Sequence, residues 1–349
     1  MKIDFAGDKH RDEIYNMWKY CFGDSDAFMN WFFDRVYKSE NTIAVFEGET
    51  VAANLQIFMY DINFCGKKCS VGYIAGVATL PEYRGRGYVK KLMHEAMREL
   101  YKRGAVFALL IPFRFEFYKP FGFEACYHLS EYSGKMQGLR PYAKAGGNFH
   151  AYKTAPIDIY NQYVSGKNGY IIRDEQIFRE IYEDTKNGGG HFYILDEGGY
   201  IVYTIENGVF NALEIAYTGG AQLKSLLGFV YSHSSQADEF KIRCADDGFL
   251  RHLLCEKDIT EIVRPHIQAR VINAEKAAGL AGAPKISVLD DVIPENRLEG
   301  APFSLGVGAF TSLVMGAMSS KEATALGIID DEKLFFEKKE NYANMLGWV

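Results

Sequence analysis

Apolar positions recur at helical spacing over residues 11–22, where Ile14, Trp18 and Cys21–Phe22 fall on one face. A second helix is expected over 26–37, after the cap signals Asp24-Ser25-Asp26. The period then drops to that of strands. β-type runs cover 42–47, 51–60 and 68–79, joined by turns at Gly48-Glu49 and Gly66. From Tyr88 to Tyr101 the helical period returns, with Val89, Leu92, Met93, Ala96, Met97 and Leu100 on the apolar face. Lys90, Lys91, Glu95, Arg98 and Glu99 make the polar one. Gly104 closes this helix, and Ala105 to Ile111 is continuously apolar, as a strand covered on both faces requires.

Past Arg140 the texture changes to Ala-Lys-Ala-Gly-Gly-Asn, which marks a boundary near 140–150. The pattern then gives a helix over 174–185, a triple-glycine break at 188–190, and strands over 191–195, 199–205 and 209–217. The last two are joined through Asn207-Gly208, a strong hairpin signal. A helix over 220–233, a strand over 238–244 and a helix over 247–254 complete an order that echoes the first unit. After Arg264-Pro265 come a strand over 266–272, a helix over 273–279 and a β-run over 285–290. Helical stretches near 309–318, 320–326 and 331–336 close the chain. The expected organisation is α/β (α+β) in three domains, 1–145, 146–265 and 266–349.

Composition narrows the class. With 48% hydrophobic and 24% charged residues the chain reads as an ordinary globular protein, and 15% aromatics call for large cores or aromatic-lined pockets. A net charge of −6 argues against a general nucleic-acid binder and favours a cationic substrate. No apolar run reaches membrane-spanning length and the first residues lack a signal-peptide core, so the expected location is cytoplasmic. Six scattered cysteines then read as reduced thiols. Cys65 and Cys69 bracket a hairpin turn with no second Cys or His pair to complete a metal site, so no metal is expected.

The chemistry concentrates in Gly76-Val77-Ala78-Thr79-Leu80-Pro81-Glu82-Tyr83-Arg84-Gly85-Arg86-Gly87-Tyr88-Val89, where a β-run ends at a proline and a helix follows a short loop. The first turn of a helix leaves N–H groups unpaired at the positive end of its dipole. Glycines admit a bulky anion to the backbone and arginines add charge-assisted hydrogen bonds, which makes a phosphate site. The plainer alternative is a helix start with solvated arginines. A P-loop is excluded because no Gly-x4-Gly-Lys-Ser/Thr occurs here, and a dinucleotide-binding turn lacks its third glycine.

A second element, Phe115-Glu116-Phe117-Tyr118-Lys119-Pro120-Phe121-Gly122-Phe123, follows the buried strand after a short gap. Together the two resemble the GCN5-related N-acetyltransferase superfamily over about residues 1–140. Its Gln/Arg-x-x-Gly-x-Gly/Ala motif is matched by Arg84 to Val89, and its Phe-Tyr-x-x-x-Gly-Phe element by Phe117 to Phe123. Val89 departs from the preferred Gly or Ala. The Eis-like (enhanced intracellular survival) acetyltransferases tolerate a bulky residue there, and the three-part order is similar to theirs. In that resemblance the middle domain is a second acetyltransferase-like fold without the cofactor loop. The third domain, opening at His266 to Ile272 and closing near Leu334-Phe335-Phe336, is sterol-carrier-like.

The resemblance implies acetyl-CoA as co-substrate and a primary amine as acceptor, either an aminoglycoside-like polyamine or a lysine. It implies that the backbone N–H groups of Arg84, Gly85, Arg86, Gly87 and Tyr88 receive the pyrophosphate, and that Val77 and Thr79 pair with the pantetheine amide. Tyr118 is implied as the acid that protonates the departing thiolate. The chain's C-terminal carboxylate, here that of Val349, is implied as the base, although this tail departs from the family by continuing through Met345-Leu346-Gly347-Trp348-Val349. Glu116 and His128 are the nearby titratable alternatives, and no cysteine stands where a helix start would activate it for an acyl-enzyme route. A homo-oligomer, a hexamer in the family, is implied as well. The competing expectation is a non-catalytic acyl-CoA- or lipid-binding protein, motivated by the sterol-carrier-like third domain.

Overall fold

The computed structural model describes residues 1–244, 249–254, 257–301, 303–329, 336–339 and 341. It opens with β1 (Lys2–Phe5), α1 (Arg11–Phe22) and α2 (Asp26–Arg35). Next come β2 (Thr42–Glu47), β3 (Thr50–Phe64), β4 (Lys67–Thr79), α3 (Tyr88–Lys102), β5 (Phe107–Leu110), α4 (Phe115–Tyr118) and β6 (Glu124–Lys135). The middle of the chain forms β7 (Phe149–Ala151), α5 (Ile157–Tyr163), β8 (Tyr170–Ile171), α6 (Glu175–Asn187), β9 (His191–Leu195), β10 (Gly199–Glu206) and β11 (Val209–Tyr217). It continues with α7 (Gly220–Ser232), β12 (Glu239–Cys244), α8 (Phe249–Leu253) and β13 (Thr260–Val271). The last described elements are α9 (Ala274–Ala281), β14 (Ser287–Leu289), β15 (Ser304–Gly306), α10 (Val307–Val314) and α11 (Ser320–Ala325). Of the helix expected near 331–336, residues 331–335 lie outside the described residues.

Two units result. The first joins Met1–Tyr127 with His266–Lys339. In it β1, β2, β3 and β4 pair antiparallel in sequence order, β5 joins β4 in parallel, and β13 pairs antiparallel with β5. Ile43, Val45, Leu55, Ile57 and Ile74 meet α3, which buries Leu92, Met93, Ala96, Met97 and Leu100 completely. Each such large side chain contributes about 1.5–3 kcal/mol by leaving water. Strand alternation turns Asn54 and Gln56 to the other face, where Asn54 meets Met17 of α1.

From the sequence a boundary is likewise expected between Pro265 and His266, with 266–349 as a domain apart. In the structure His266–Lys339 joins residues 1–127 instead, and Gln268 to Val271 pair with Leu110 to Phe107. β13 also starts earlier than expected and runs through Pro265. Proline removes one N–H donor, but its fixed φ is compatible with an extended chain.

The second unit comprises His128–Pro265 and, among the described residues that follow, Asn341. β7, β9, β10 and β11 form an antiparallel run, β12 lies parallel to β11, and the Ser130–Lys135 part of β6 pairs antiparallel with β12. Asn207 and Gly208 both take positive φ, as the hairpin signal requires. The core is aromatic, with Tyr160, Phe178, Tyr200, Phe210 and Phe240 fully enclosed. No described helix is long and apolar enough to cross a membrane.

Candidate active site

The site begins as a fault in a ladder. Asn54 and Gln56 on β3 face Ala78 and Ala75 on β4, so Leu55 alone opposes Gly76 and Val77. The extra residue makes a β-bulge, and Gly76 takes φ +59 there. A Cβ on Gly76 would lie 2.3 Å from the Trp18 ring, so this position needs glycine for both conformation and space. Gly76→Ala is expected to cost about 1–3 kcal/mol in a denaturation experiment. An unchanged midpoint would mean the bulge relaxes without strain.

On its other side β4 parts from β5. The parallel ladder covers only Val71–Tyr73 against Phe107–Leu109, while β4 runs on to Thr79. Val77 and Thr79 therefore lie on a stretch that β5 does not pair. Thr79 Oγ1 is buried with no hydrogen-bond partner among the described residues, whereas the Thr79 carbonyl accepts from Arg84 Nε at 3.2 Å and from Cys21 Sγ at 3.8 Å.

The loop follows. Pro81–Tyr83 form a 3-10 turn, then Gly85 and Gly87 take φ +78 and +74. A Cβ at either glycine would meet nothing within 4 Å, so conformation and not crowding selects glycine here. Gly87 is the N-cap of α3, has no side chain to satisfy the first-turn N–H groups, and no acidic residue stands in that turn. Arg84 and Arg86 are exposed, and Arg86 lies 5.0 Å over the Tyr83 ring while bonding the Glu82 carbonyl. The Tyr88 side chain joins the loop to β2. Its hydroxyl donates to Glu47, which holds that carboxyl below its usual range, and it also lies within hydrogen-bonding reach of the Arg86 guanidinium.

Tyr118 stands on the segment that leaves β5. It is 4% exposed and packed among Phe113, Phe117 and Phe123, with ring centroids 5.0–6.2 Å away. No described group hydrogen-bonds its Oη. Burial pushes its phenol up to about 12.

Other candidates fall differently. Val349 lies outside the described residues. Glu116 is largely exposed and pairs with Lys119 at 3.2 Å, and the exposed His128 starts the second unit. Burial pushes the thiol of Cys69 up to about 12 and that of Cys126 higher, the opposite of an activated nucleophile. Trp31, Phe32 and Phe33 of α2 are packed in the core. Pattern and spacing do not disclose Gln268 and Arg270, whose side chains bond carbonyls of the Tyr118 segment, or the buried carboxylate Asp290 that pairs with Arg270.

The second unit repeats the strand–loop–helix geometry without the arginines. β11 stays paired with β12 only through Ala212, runs on to Tyr217, and passes through Thr218-Gly219 into α7. A cavity of about 560 Å3 lies there, lined in part by Lys167, Thr218, Gly219 and Lys224.

Comparison with known proteins places these geometries. Residues 2–126 match a family model described as an acetyltransferase (GNAT) domain, and residues 169–271 match a second model of the same description. Among solved structures, a probable N-acyltransferase of unknown function from Enterococcus faecalis V583 superposes with TM-score 0.87 at 19% identity, covering 99% of both chains. A GCN5-related N-acetyltransferase from Anabaena variabilis gives 0.84 at 18%, covering 97% of this chain and 98% of that one. Eis1 from Mycobacterium abscessus gives 0.79 at 15%, covering 98% and 99%. At these identities the likeness is one of fold. No curated protein matches the chain. The chain carries two GNAT acetyltransferase domains.

Proposed function

We propose that this chain, an acetyl-CoA-dependent N-acetyltransferase with two GNAT domains, acetylates a primary amine by direct attack, with Tyr118 as general acid. The observation that carries this is the gap between β4 and β5. The uncapped arginine–glycine loop follows the strand on one side of it, and Tyr118 stands on the segment leaving the strand on the other.

In this reading the N–H groups from Arg84 to Tyr88 hold the pyrophosphate, and the unpaired run of β4 directs the pantetheine so that the thioester carbonyl lies near Val77. A neutral amine attacks the carbonyl carbon and the tetrahedral intermediate collapses with cleavage of the C–S bond. The electron pair leaves on sulfur, and the Tyr118 Oη proton passes to it. The nitrogen loses its extra proton to solvent or base, and the phenolate is reprotonated in turn. A phenol near 12 is a weak acid for a thiol of ordinary value about 8.5, but the same burial also raises a thiolate held beside it. The acceptor class that suits a chain of net charge −6 is cationic, a polyamine, an aminoglycoside-like amine or a lysine side chain.

The pH dependence follows with a definite sign. Tyr118 works in its protonated form, and burial raises its value, so its contribution persists below about 12. The rate is expected to rise as the amine deprotonates toward about pH 10.4, with no falling limb at the ordinary phenol value near 10. A falling limb near 10 that vanishes in Tyr118→Phe would show a phenol unshifted by burial.

The reading as a whole is tested by thiol release from acetyl-CoA over a panel of polyamines, aminoglycosides and lysine peptides. Amine-dependent release supports it. Silence across the panel, with acetyl-CoA still bound in calorimetry, would move the protein to the CoA-binding, non-catalytic class.

A further inference from the structure

The segment that carries Tyr118 has little regular structure of its own. α4 is a four-residue turn whose N-cap, Arg114, provides no side-chain cap. A 3-10 turn with Pro120 follows, and Gly122 ends it at φ +81. Something other than its own backbone has to hold this excursion, and the residue placed to do so lies 145 to 153 positions away in sequence.

Gln268 is fully buried on β13, directly opposite Leu110, the last residue of β5 before the excursion departs. Its Nε2 donates to the Phe115 carbonyl at 3.2 Å and to the Phe123 carbonyl at 3.3 Å. One amide thus ties both ends of the run that contains Tyr118, three residues past the first contact and five before the second. Both acceptors are carbonyls, which fixes the amide with its NH2 toward them. Among the described residues Gln268 Oε1 is left buried with no partner. An orphaned acceptor of this kind costs about 1–3 kcal/mol, so the arrangement is not one that packing alone favours. Two positions on, Arg270 Nε bonds the Phe121 carbonyl at 2.6 Å, but Arg270 is also half of a buried ion pair and cannot be changed without wider damage.

We propose that Gln268 is a positioning residue for acetyl transfer: by clamping the Phe115 and Phe123 carbonyls it fixes where Tyr118 Oη stands relative to the departing sulfur. The inference rests on Tyr118 serving as the acid. It makes the segment after His266 part of the catalytic apparatus, through a contact that touches neither substrate.

The test is a double-mutant cycle on the full chain, using Gln268→Met, Tyr118→Phe and the pair, read as kcat and acetyl-CoA KM with the best amine of the panel. Gln268→Met is expected to lower kcat by about tenfold to a hundredfold, since a displacement near 1 Å costs up to about that much. The KM for acetyl-CoA should stay within about twofold, and the change should lower kcat no further once Tyr118 is phenylalanine. An equal loss in both backgrounds, or an unchanged kcat in the single variant, overturns the clamp. If Tyr118→Phe alone leaves kcat unchanged, it is the acid assignment that fails, and the cycle shows that separately. Should Gln268→Met not fold, Gln268→Asn keeps the amide but is shorter by one methylene and cannot reach both carbonyls. The same non-additivity with Tyr118→Phe is then expected, and additivity overturns the inference.

Discussion

Replacing Tyr118 with phenylalanine is expected to lower kcat for amine acetylation by about 10²- to 10⁴-fold, the range associated with a positioned general acid. The substitution is narrow. The ring keeps its contacts with Phe113, Phe117 and Phe123, and among the described residues the lost hydroxyl has no hydrogen-bond partner, so neither that core nor a described network is disturbed. Thermal stability should hold or rise slightly, because a polar group is withdrawn from a buried place. Acetyl-CoA binding should change by less than about twofold, since the loop and β4 carry that contact in the proposed reading and neither is touched. A fall in kcat with constant KM and constant melting temperature is the signature of a group used only in the transition state. If kcat stays within about threefold of the parent, the departing thiolate needs no protein acid and Tyr118 is one more core aromatic.

Much of the fold can be read locally because its ends are marked locally. The helix 11–22 and the strands 42–47, 191–195 and 209–217 stand where the periodicity places them, bounded by Gly23, Gly48, Gly190-His191 and Asn207-Gly208. The short elements β1, β7, β8 and α5 were not anticipated, since two to seven residues carry too little period to see. The partner of a strand is harder still. Nothing within His266 to Ile272 says that it will lie against β5, because the pairing is set by which apolar edge remains uncovered once the chain has folded.

The candidate site divides in the same way. The loop from Arg84 to Tyr88 and the Tyr118 element are each contiguous, so residue type and spacing disclose them. The bulge at Gly76–Val77 depends on cross-strand register and leaves no local mark beyond a glycine. Gln268 and Arg270 were concealed by their own pattern. They alternate with Ile267, Ala269 and Val271, which reads as a strand with one solvated face, yet both are fully buried. A polar residue every second position therefore marks solvent in one strand and an internal clamp in another, and only the covering layer distinguishes them. Here that layer includes Val307 and Thr311 of α10, with Thr311 Oγ1 accepting from the Val271 N–H.

The adjacent carboxylates Asp290 and Asp291 allow the sharpest comparison of stability. Their side chains part, one fully buried and the other 99% exposed. Asp290 accepts from Arg270 Nη2 on both oxygens at 2.7 Å, from the Val292 and Ile293 N–H groups at 2.9 and 3.0 Å, and from the Asn296 amide at 2.8 Å. Asp290→Ala leaves a fully buried guanidinium with no counter-charge and is expected to cost about 3–5 kcal/mol in urea denaturation. Burial already lowers the Arg270 value, so the pair is what keeps that charge in place. Asp291→Ala, which loses only a 3.5 Å contact with Arg297 in water, should stay within about 0.5 kcal/mol. The combined change Arg270→Met with Asp290→Leu removes both charges, and should recover part of the loss that Asp290→Ala causes. Recovery should stop short of the parent, because the Val292 and Ile293 N–H groups lose their carboxylate in either case and the Phe121 carbonyl loses its guanidinium donor in the double variant. The shortfall would then measure the polar clamp apart from the ion pair. A cost below about 1 kcal/mol for Asp290→Ala would mean that water reaches Arg270 once the carboxylate is gone, and that the cluster is held by its surrounding packing instead.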